Sequence, residues 1–582
     1  MRAIGIIIYS CFTITLAAQT FYFGNDLSYV NQMEDCGAVF RENQITKDVY
    51  QIFADHGTNL IRMRLWVDPV WQNSLEQPVG VKPQYSDFED VCETIHRSKQ
   101  AGMQVMLDMH LSDFWADPGR QVIPARWVDV AYDTAALADS VYNYVFRILT
   151  WLDRDTLMPE IVQVGNETNS GILLHATLNP DYSPGETVSN SWERHAHLYN
   201  AAIRAIRDAS EATLIKPKVS LHYAGLNSIS WWYNNIIDNG VTDFDIIGFS
   251  YYYAWHGRSI AELGNTIRSL RSSFPDYEVM VLETGYLWTT QNFDGYANIV
   301  TTPDPDYMPV CPEKQFEYMF DYTREVMLAG GIGVIFWEPA WVSTPCRTPW
   351  GQGSSHDHLV FFDPVHTNFM ENGGGRWTEF DFYEHLDYKK MTFKVGTEDI
   401  DVPDKMYITG TMTGEPWIIE PMFHEETDLY NYVTYLPQGD SGAFYFLNDS
   451  LWAARETVPT ECATWWGTDR GYKIGQNDTV ISYKWGTCDP IEGGNNVFST
   501  NSTEADIRVY PNPLSGTSLN LELTGLSGIS VLKIYDFNGT ILLSKCIENT
   551  NRITIHVDFK PGIYNLQLEN NTRLINRKII IY

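Results

Sequence analysis

Eight short apolar runs alternate with helix-length amphipathic stretches between residues 21 and 388, and this alternation constrains the fold more than any other feature. The runs cover residues 21–25, 59–67, 103–110, 161–167, 218–222, 244–251, 278–283 and 333–337, with helical patterns such as 87–101, 134–153, 192–209 and 312–329 between them. Strands that are apolar throughout are typical of a parallel sheet covered on both faces. Eight such units predict a closed (β/α)8 barrel, the TIM-barrel class of α/β fold. An open doubly wound sheet is the alternative, weakened because no GxGxxG motif follows the first run.

The character of the chain changes after about residue 390, where the helical periodicity ends. Residues 400–490 contain short alternating runs such as MYITGTM, NYVTYLP and GAFYFLN, broken by Gly, Asp and Asn. This pattern predicts an antiparallel β-sandwich. A linker rich in Gly, Asn, Ser and Thr is expected at 491–504, and a second small β-sandwich at 505–582. We therefore expect a barrel domain at 19–390 followed by two all-β domains.

The N-terminus has the pattern of a secretory signal peptide over residues 1–18. Arg2 precedes an apolar run at 4–16, and two alanines follow that run. The run is shorter than the roughly 20 residues of a transmembrane helix, and no later segment is long enough, so we expect no transmembrane segment. Export permits disulfides, and proximity along the chain suggests the pairs Cys311–Cys346 and Cys462–Cys488.

The charge of the chain narrows the classes of partner. Its formal net charge is −33 and its isoelectric point is about 4.7. Such a surface repels a phosphate backbone, so nucleic acid is not an expected partner. A neutral polymer would not be repelled. Absence of CxxC and HExxH motifs from the sequence gives no support to a structural zinc site or a zinc protease.

Two glutamates end apolar runs on opposite sides of the predicted barrel. Glu167 ends the fourth run and Glu283 ends the seventh. Barrels of this kind build their active sites at the carboxyl ends of the strands. Glycoside hydrolysis needs one protonated carboxyl to donate to the leaving oxygen and one ionised carboxylate to attack the anomeric carbon or activate water. A separation of about 5–5.5 Å would indicate retention, and about 6.5–9.5 Å inversion, of the anomeric configuration.

Seven strings with more specific content follow one another along the barrel region. They are FGNDLSYVNQMEDCG (23–37), NLIRMRLWVDP (59–69), LDMHLSDFWADPGRQ (107–121), VQVGNET (162–168), GFSYYYAWHG (248–257), VLETGY (281–286) and GVIFWEPAW (333–341). Together they resemble glycoside hydrolase family 53, the endo-β-1,4-galactanases that cut type I arabinogalactan. The resemblance implies a galactan or arabinogalactan substrate and a retaining double displacement. Within it, Glu167 would be the general acid/base and Glu283 the nucleophile.

The remaining polar and aromatic residues at the run ends are the candidate substrate-binding residues. They are Arg64, His110, Asp113, Trp115, Asn166, His222, Tyr251, Trp255 and Trp337. Arg64, which alternates with Arg62 on one face of the second run, is the candidate cation that keeps Glu283 ionised. Asn166 is expected to hydrogen-bond the sugar 2-hydroxyl, and Trp337 to form a platform under the sugar.

Two segments depart from the family pattern. Leu111 stands where the family usually has a tyrosine, which removes one expected contact in the cleft. The segment 350–363 matches the family's closing loop only loosely, and some bacterial members bind calcium there. Asp357, His358 and Asp363 are the candidate ligands in that segment, but an acidic surface loop is the simpler interpretation and we assign no metal residue. The reaction itself requires no cofactor.

The C-terminal β domains carry two further resemblances. The strings VYPNP (509–513), VLKIYDFNGTILLS (531–544) and FKPGIYNLQL (559–568) resemble the sorting domain of the type IX secretion system of Bacteroidetes. That resemblance implies the type IX machinery as a partner and a secreted or surface-attached product. Residues 401–490 resemble, more weakly, starch-binding-like sandwich repeats, and they carry Trp417, Trp452, Trp465 and Trp466 as candidate sugar-stacking rings.

Two alternative functions stay open from the sequence. The chain could be another retaining endoglycosidase of the same clan, a mannanase or endoglucanase, because those enzymes use the same pair of carboxylates. It could instead be a non-catalytic glycan-binding surface protein, although the presence of both glutamates argues against that class.

Overall fold

The computed structural model describes residues 21–75, 82, 84–174, 191–348, 351–380, 382–414, 417–463 and 468–491, and then 506–510, 518–524, 529–535, 541–548, 552–557, 559–560, 562–569 and 574–581. The predicted signal peptide, nearly all of the predicted linker, Trp465 and Trp466 lie outside these residues. The chain divides into two compact units, Met1–Thr479 with Trp485–Cys488, and Val480–Lys484 with Asp489–Tyr582.

Eight parallel strands close into a barrel in the first unit. They are β1 (Tyr22–Asp26), β2 (Leu60–Leu65), β3 (Gln104–Met109), β4 (Ile161–Val164), β5 (Lys218–Ala224), β6 (Ile246–Ser250), β7 (Glu278–Thr284) and β8 (Gly333–Phe336). Each strand pairs with the next along the chain, and β8 pairs in parallel with β1, Tyr22 opposite Gly333. The predicted (β/α)8 barrel is therefore confirmed, and an open sheet is excluded because both edges are paired.

Helices surround the barrel, and several of them begin at a side chain that caps them. They are α1 (Val30–Asp35), α2 (Val49–Asp55), α3 (Phe88–Gln100), α4 (Thr134–Arg154), α5 (Trp192–Ser210), α6 (Ile229–Asp238), α7 (Tyr253–His256), α8 (Ile260–Ser273), α9 (Pro312–Leu328) and α10 (Phe382–His385). Asp87 accepts a hydrogen bond from the Asp90 amide at the start of α3, and Ser259 forms a capping box with Glu262 at the start of α8. These side chains satisfy amide groups that have no partner within the helix.

The barrel interior changes from apolar to polar towards the carboxyl ends of the strands. Leu60, Met106, Ile161 and Ile246 lie in one buried apolar cluster. Two residues further along their strands, β2 carries Arg62, β3 carries Asp108 and β4 carries Gln163, all buried. Because side chains alternate across a strand, residues two apart share the interior face. The apolar cluster is thus a floor on which a polar layer stands.

One disulfide joins two ends of the barrel segment that are distant in sequence. Cys36, at the end of α1, is bonded to Cys346, which follows β8, across a separation of 310 residues. The predicted Cys311–Cys346 pair is wrong, because the Cys311 sulfur instead caps α9 by accepting from the Lys314 amide. The predicted Cys462–Cys488 disulfide is confirmed. Among the cysteines in the described part of the chain, Cys92 and Cys311 are free.

A β-sandwich follows the barrel within the first unit. Its strands are β9 (Tyr388–Gly396), β10 (Tyr407–Gly410), the short Glu420–Pro421, β11 (Phe423–Glu426), β12 (Leu429–Pro437), β13 (Ser441–Leu447) and β14 (Arg470–Lys473). One sheet pairs β11 with β12 and β12 with β9, and a second has the order Glu420–Pro421, β10, β13, β14. The sandwich packs on helix α9: the Tyr435 ring lies 3.7 Å from that of Phe320, and Lys390 pairs with Asp321 at 2.9 Å.

The second unit is all-β in its described part. Its strands are β15 (Thr479–Lys484), β16 (Asp506–Tyr510), β17 (Ser518–Thr524), β18 (Ile529–Tyr535), β19 (Ile541–Glu548), β20 (Arg552–His556), β21 (Gly562–Glu569) and β22 (Leu574–Ile581), of which β15 belongs to this unit from Val480 onward. Two antiparallel sheets, β16-β17-β20 and β19-β18-β21-β22, enclose a cluster of buried leucines and isoleucines. No helix among the described residues is long and apolar enough to cross a bilayer.

Candidate active site

Glu283 lies near the end of β7, where it meets a cation and a hydroxyl. Its Oε1 forms an ion pair with Arg62 at 2.9 Å, and its Oε2 accepts a hydrogen bond from the Tyr252 hydroxyl at 3.2 Å. The glutamate is 7% exposed, so one edge of the carboxyl reaches the cleft. Both contacts favour the ionised form of Glu283, because each places positive charge or a donor hydrogen against it.

The Arg62 side chain hydrogen-bonds to residues at the carboxyl ends of several strands. Its Nη1 donates to Asp26 at 2.7 Å, and its Nη2 donates to Asp108 and to the Asn166 side-chain oxygen, each at 2.8 Å. Its Nε donates to Gln163 at 3.1 Å. The guanidinium is buried and would be costly to desolvate without these partners. It therefore fixes four strand ends around one charge.

Glu167 has neutral partners on the opposite side of the mouth. It follows β4 with a positive φ of 45°, a conformation that costs energy for a residue with a side chain and that is typical of functional sites. Its Oε1 lies 2.7 Å from the Ser250 hydroxyl at the end of β6. Among the described residues, Glu167 has no ion pair in the structure.

Burial raises the pKa of both glutamates, but their neighbours differ. Burial raises the pKa of Glu167 to about 7, and the carboxylates of Asp117 and Asp108 add to that rise. For Glu283, burial also raises the pKa, the Arg62 guanidinium opposes the rise, and the charge of Glu167 reinforces it. The two carboxyls therefore influence one another's protonation, and the Arg62 cation is the neighbour that favours the ionised form of Glu283.

Asn166 and His222, two of the predicted substrate-binding residues, lie beside Glu167 and contact each other. The Asn166 amide donates to the Ala116 carbonyl at 2.8 Å, and its oxygen lies 2.8 Å from Nδ1 of His222. Nε2 of His222 lies 2.8 Å from the Ser250 hydroxyl. Burial and the nearby Arg62 charge hold the pKa of His222 well below its usual value, so its imidazole is neutral.

The prediction that Arg64 is the cation beside Glu283 is wrong. Arg64 Nη1 binds Oε1 of Glu338 at 2.6 Å, and the guanidinium lies 4.1 Å from the centre of the Tyr29 ring and 4.4 Å from that of Trp115. Because Arg64 is one interior layer nearer the strand end than Arg62, it reaches Glu338, two residues after β8, rather than Glu283 on β7.

Tyr251 is also misplaced by the sequence prediction. It is buried, its hydroxyl contacts the backbone of Arg258, and its ring packs 6.0 Å from Tyr322 on α9. Ser250 and Tyr252, one residue to either side, contact the two glutamates instead. Alternation along the strand explains the error, since neighbours on a strand face opposite sides.

The aromatic candidates fall into two groups: Trp115 packs with Trp337, and Trp255 packs with Tyr252. Trp337 directly follows β8, with its ring 5.9 Å from that of Trp115, and each is under 10% exposed. Trp255 is 53% exposed and its ring lies 4.5 Å from that of Tyr252, the residue whose hydroxyl contacts Glu283. Aromatic rings of this kind supply flat apolar faces.

The other two candidates lie further from the glutamates. His110 is buried with its Nε2 3.0 Å from Asp108, so it contacts the Arg62 cluster through that carboxylate. Asp113 accepts from the Ala125 amide at 2.8 Å, an interaction within the loop that follows β3. Neither residue contacts Glu167 or Glu283 directly.

Sequence reasoning missed several residues of this site. They are Asp26, Arg62 as the central cation, Gln163, Ser250, Tyr252 and Glu338. The strand period was the available signal for Ser250, because Gly248 and Ser250 share one face of β6. No sequence signal distinguishes Arg62 from Arg64, since both lie on the interior face.

Two of the calcium candidates, Asp357 and Asp363, accept hydrogen bonds from neighbouring groups in the described part of the chain. The Asp357 carboxylate accepts from the Phe293 amide and the Ser343 hydroxyl, each at 2.9 Å. Asp363 accepts from the amides of Val365, His366 and Asn368. Calcium needs six to eight converging oxygens. No group of three or more His, Cys, Asp or Glu side chains among the described residues is arranged to hold a metal.

Comparisons with known proteins agree with this geometry. The Cellvibrio japonicus arabinogalactan endo-beta-1,4-galactanase is 42% identical over 350 residues, which is 60% of this chain and 88% of the relative. The Emericella nidulans arabinogalactan endo-beta-1,4-galactanase A is 31% identical, covering 61% and 93% of the two chains. The solved Ignisphaera aggregans GH53 catalytic domain superposes with a TM-score of 0.55 at 26% identity, covering 65% of this chain and all of that one.

Two family assignments follow from the sequence. A secretion system C-terminal sorting domain matches residues 508–582, so the predicted sorting domain is present. Glycosyl hydrolase family 53 matches residues 22–372, which span the whole barrel and more than half of the chain. The chain therefore belongs to glycosyl hydrolase family 53 and is a glycoside hydrolase.

Proposed function

We propose that this protein is an endo-β-1,4-galactanase that cuts the galactan of type I arabinogalactan with retention of anomeric configuration. The observation that carries the proposal is the pair Glu167 and Glu283 at one barrel mouth, with neutral partners on one glutamate and a cation on the other. The galactanase names of the relatives support the substrate class.

The first step forms a covalent sugar–enzyme bond. The Glu283 carboxylate attacks the anomeric carbon while Glu167 gives its proton to the glycosidic oxygen, and the bond to the leaving sugar breaks. Arg62 contacts Oε1 of Glu283 and the Tyr252 hydroxyl contacts Oε2, so the two residues orient the carboxylate for attack. Asn166, oriented by Arg62 and Ala116, is placed to bind the sugar 2-hydroxyl, a contact that strengthens in the transition state.

The second step releases the sugar. Glu167, now ionised, takes a proton from water, the resulting hydroxide attacks the anomeric carbon, and the bond to Glu283 breaks. Both residues return to their starting states, so the cycle balances without a cofactor. Trp337 and Trp115 supply the apolar wall, and Trp255 the exposed edge, against which the sugars stack.

The substrate assignment is tested with a panel of polysaccharides. We expect the full chain to cleave galactan rapidly, to release oligosaccharides from within the polymer, and to leave mannan and cellulose intact. Rapid cleavage of mannan or cellulose would support the alternative clan enzymes. Binding of glycans without cleavage of any would support the non-catalytic alternative.

The two terminal signals support export as part of this function. We propose that residues 1–18 are removed as a signal peptide and that the domain at 505–582 directs the protein through the type IX machinery. The enzyme is then released or held on the outer surface, where polysaccharide is accessible. Detection of the catalytic domain outside cells, lost on deletion of 505–582, is the expected result.

A glycan-binding role for the 400–490 sandwich is a second proposal, carried by one surface cluster. The Trp417 and Trp452 rings lie 6.1 Å apart, and Arg455 lies 5.0 Å from the Trp452 ring. Trp452 is 45% exposed. We expect Trp452→Ala to weaken binding to insoluble galactan without changing cleavage of soluble oligosaccharides. Trp231→Ala, which removes a 51% exposed tryptophan from the barrel, is the matched control.

A further inference from the structure

Three side chains, those of Asn166, His222 and Ser250, connect Arg62 to Glu167 through direct hydrogen bonds. The steps are Asn166 Oδ1 to His222 Nδ1 at 2.8 Å, His222 Nε2 to Ser250 Oγ at 2.8 Å, and Ser250 Oγ to Glu167 Oε1 at 2.7 Å. Asn166, His222 and Ser250 are all buried. The neutral His222 ring and the Ser250 hydroxyl each have one hydrogen to donate. The direction of one hydrogen bond therefore determines the direction of the next.

The orientation of the Asn166 amide is fixed at both of its ends. Its oxygen accepts from Arg62 Nη2 at 2.8 Å, and its nitrogen donates to the Ala116 carbonyl at 2.8 Å. Reversing the amide would set a donor against the guanidinium and an acceptor against a carbonyl. The atom that faces His222 is therefore an oxygen, which can only accept.

His222 must consequently carry its hydrogen on Nδ1. The competing contacts at Nδ1 are longer than the 2.8 Å to the Asn166 oxygen: the Glu167 amide donates towards Nδ1 at 3.3 Å, and the Gln163 nitrogen lies 3.0 Å away. The two Gln163 hydrogens already have acceptors in Asp108 at 2.7 Å and the Gly165 carbonyl at 2.9 Å. A neutral imidazole with its hydrogen on Nδ1 has a lone pair on Nε2.

The lone pair on Nε2 determines the direction of the two remaining hydrogen bonds, those of Ser250 and Glu167. Ser250 has one hydroxyl hydrogen, and at 2.8 Å from Nε2 it donates that hydrogen to His222. The Ser250 oxygen then faces Glu167 as an acceptor at 2.7 Å, and the only hydrogen available for this bond is one on the Glu167 carboxyl. We infer that Asn166, His222 and Ser250 are positioning residues that hold Glu167 in its protonated form.

This inference rests on the proposed function, because it explains how Glu167 is supplied as the acid. After Glu167 gives its proton to the leaving oxygen, the Ser250 hydroxyl turns towards the new carboxylate and leaves Nε2 without a donor. When water returns the proton to Glu167, the original chain re-forms. No proton is stored on His222, so the balance of the reaction is unchanged.

Other charges around Glu167 stay in place when the chain is cut at Ser250. They are Arg62 on β2, Asp108 on β3, Asp117 in the loop after β3, Tyr252 after β6 and Glu283 on β7. His110 lies near His222 and remains too. A change in the titration of Glu167 in Ser250→Ala therefore reports the hydrogen-bonded chain itself.

The experiment is the pH profile of kcat/KM for Ser250→Ala in the full-length protein, on the polysaccharide that the unmodified chain cleaves. Loss of the acceptor should move the alkaline limb to lower pH by about one unit, the size of one neutral hydrogen bond. If Ser250 instead donates to an ionised Glu167, its loss moves that limb to higher pH. A shift upward, or none, overturns the inference.

Two controls complete the design. Ser220→Ala removes a buried hydroxyl from β5 that donates to the Leu221 carbonyl at 3.2 Å, and the pH profile should not move. Ser250→Thr keeps the hydroxyl and should restore the alkaline limb.

A measurement that does not depend on enzymatic activity tests the inference separately from the proposed function. The ¹⁵N signals of His222, assigned by their loss in His222→Gln, should show a protonated Nδ1 and an unprotonated Nε2. The reverse pattern overturns the inference even if galactan is cleaved. The expected pattern in a chain that cleaves no galactan would instead refute the proposed function alone.

Discussion

The two sides of the barrel mouth carry the same side chain in opposite surroundings. On the β7 side, Glu283 faces the Arg62 guanidinium and the Tyr252 hydroxyl. On the β4 side, Glu167 faces Ser250 and, through it, a neutral histidine. Both carboxyls are buried enough for these partners to matter. The comparison teaches that neighbours, and not residue type, divide the roles of acid and nucleophile.

The largest expected loss of activity comes from replacing Glu283, the carboxylate paired with Arg62. Glu283→Gln should lower kcat on galactan by at least about 10⁴-fold, because no other group there can form the covalent intermediate. Binding of galactan should persist. Glu278→Gln, the same change at the other end of β7 where Glu278 pairs with Lys218 at 2.8 Å, should leave kcat within a factor of about two. Full activity of Glu283→Gln would refute the assignment.

Removing Glu167, the carboxyl with neutral partners, should slow the reaction by an amount that depends on the leaving group of the substrate. Glu167→Ala should lower kcat/KM on galactan by roughly 10²–10⁴-fold, the usual size of general acid catalysis. Formation of the intermediate from an aryl galactoside with a good leaving group should change far less, because that step needs no proton. Azide should accelerate turnover and give a β-galactosyl azide. Equal losses on both substrates would contradict the role of Glu167 as acid.

The buried carboxyls should also set a pH dependence of stability. The pKa of Glu167 rises from 4.5 to about 7 on folding, so between these values the folded state holds a proton that the unfolded state has lost. Stability from this group is therefore present below pH 4.5 and lost as pH rises towards 7. Glu167→Gln should be more stable than the unmodified protein at pH 8, by on the order of 3 kcal/mol, and similar at pH 4. Calorimetry at both pH values tests this, and a destabilised variant at pH 8 would contradict it.

The smallest effect compares the two arginines of β2. Arg62→Lys should lower kcat by roughly 10²-fold, because an ammonium cannot bridge Asp26, Asp108 and Asn166 together. Arg64→Lys should act mainly on the melting temperature, since Arg64 pairs with Glu338 and stacks between aromatic rings. Kinetics and melting curves of both variants sharpen the comparison. A larger loss of kcat in Arg64→Lys would reverse it.

The barrel was predictable because its signal repeats eight times. Each strand is a buried apolar run, and each run ends in polar residues that must gather at one rim. Glu167 and Glu283 could therefore be placed at one mouth from the sequence. The side chains that contact these glutamates could not be predicted in the same way. Arg62 and Arg64 lie on the same face of β2, and only the stagger of the strands determines which of them contacts Glu283 on β7.

Other errors have similarly local causes. Tyr251 and Tyr252 are adjacent tyrosines that follow β6. Because side chains alternate in direction, Tyr252 contacts Glu283 in the site, whereas Tyr251 faces the helix α9. Cys311 and Cys346 are close in sequence, yet the closed barrel brings Cys36 to Cys346 because it returns the last strand to the first. Proximity in the chain carried no information about that closure.

The stereochemistry of the first product tests the central claim most directly. Proton NMR, recorded before mutarotation, follows the anomeric signal of the new reducing end when the full chain cleaves galactan. Two inverting displacements at Glu283 and water predict that the β-anomer appears first and converts later to the mixture. Initial appearance of the α-anomer would mean a single displacement by water, and the assignment of Glu283 as nucleophile would then be wrong.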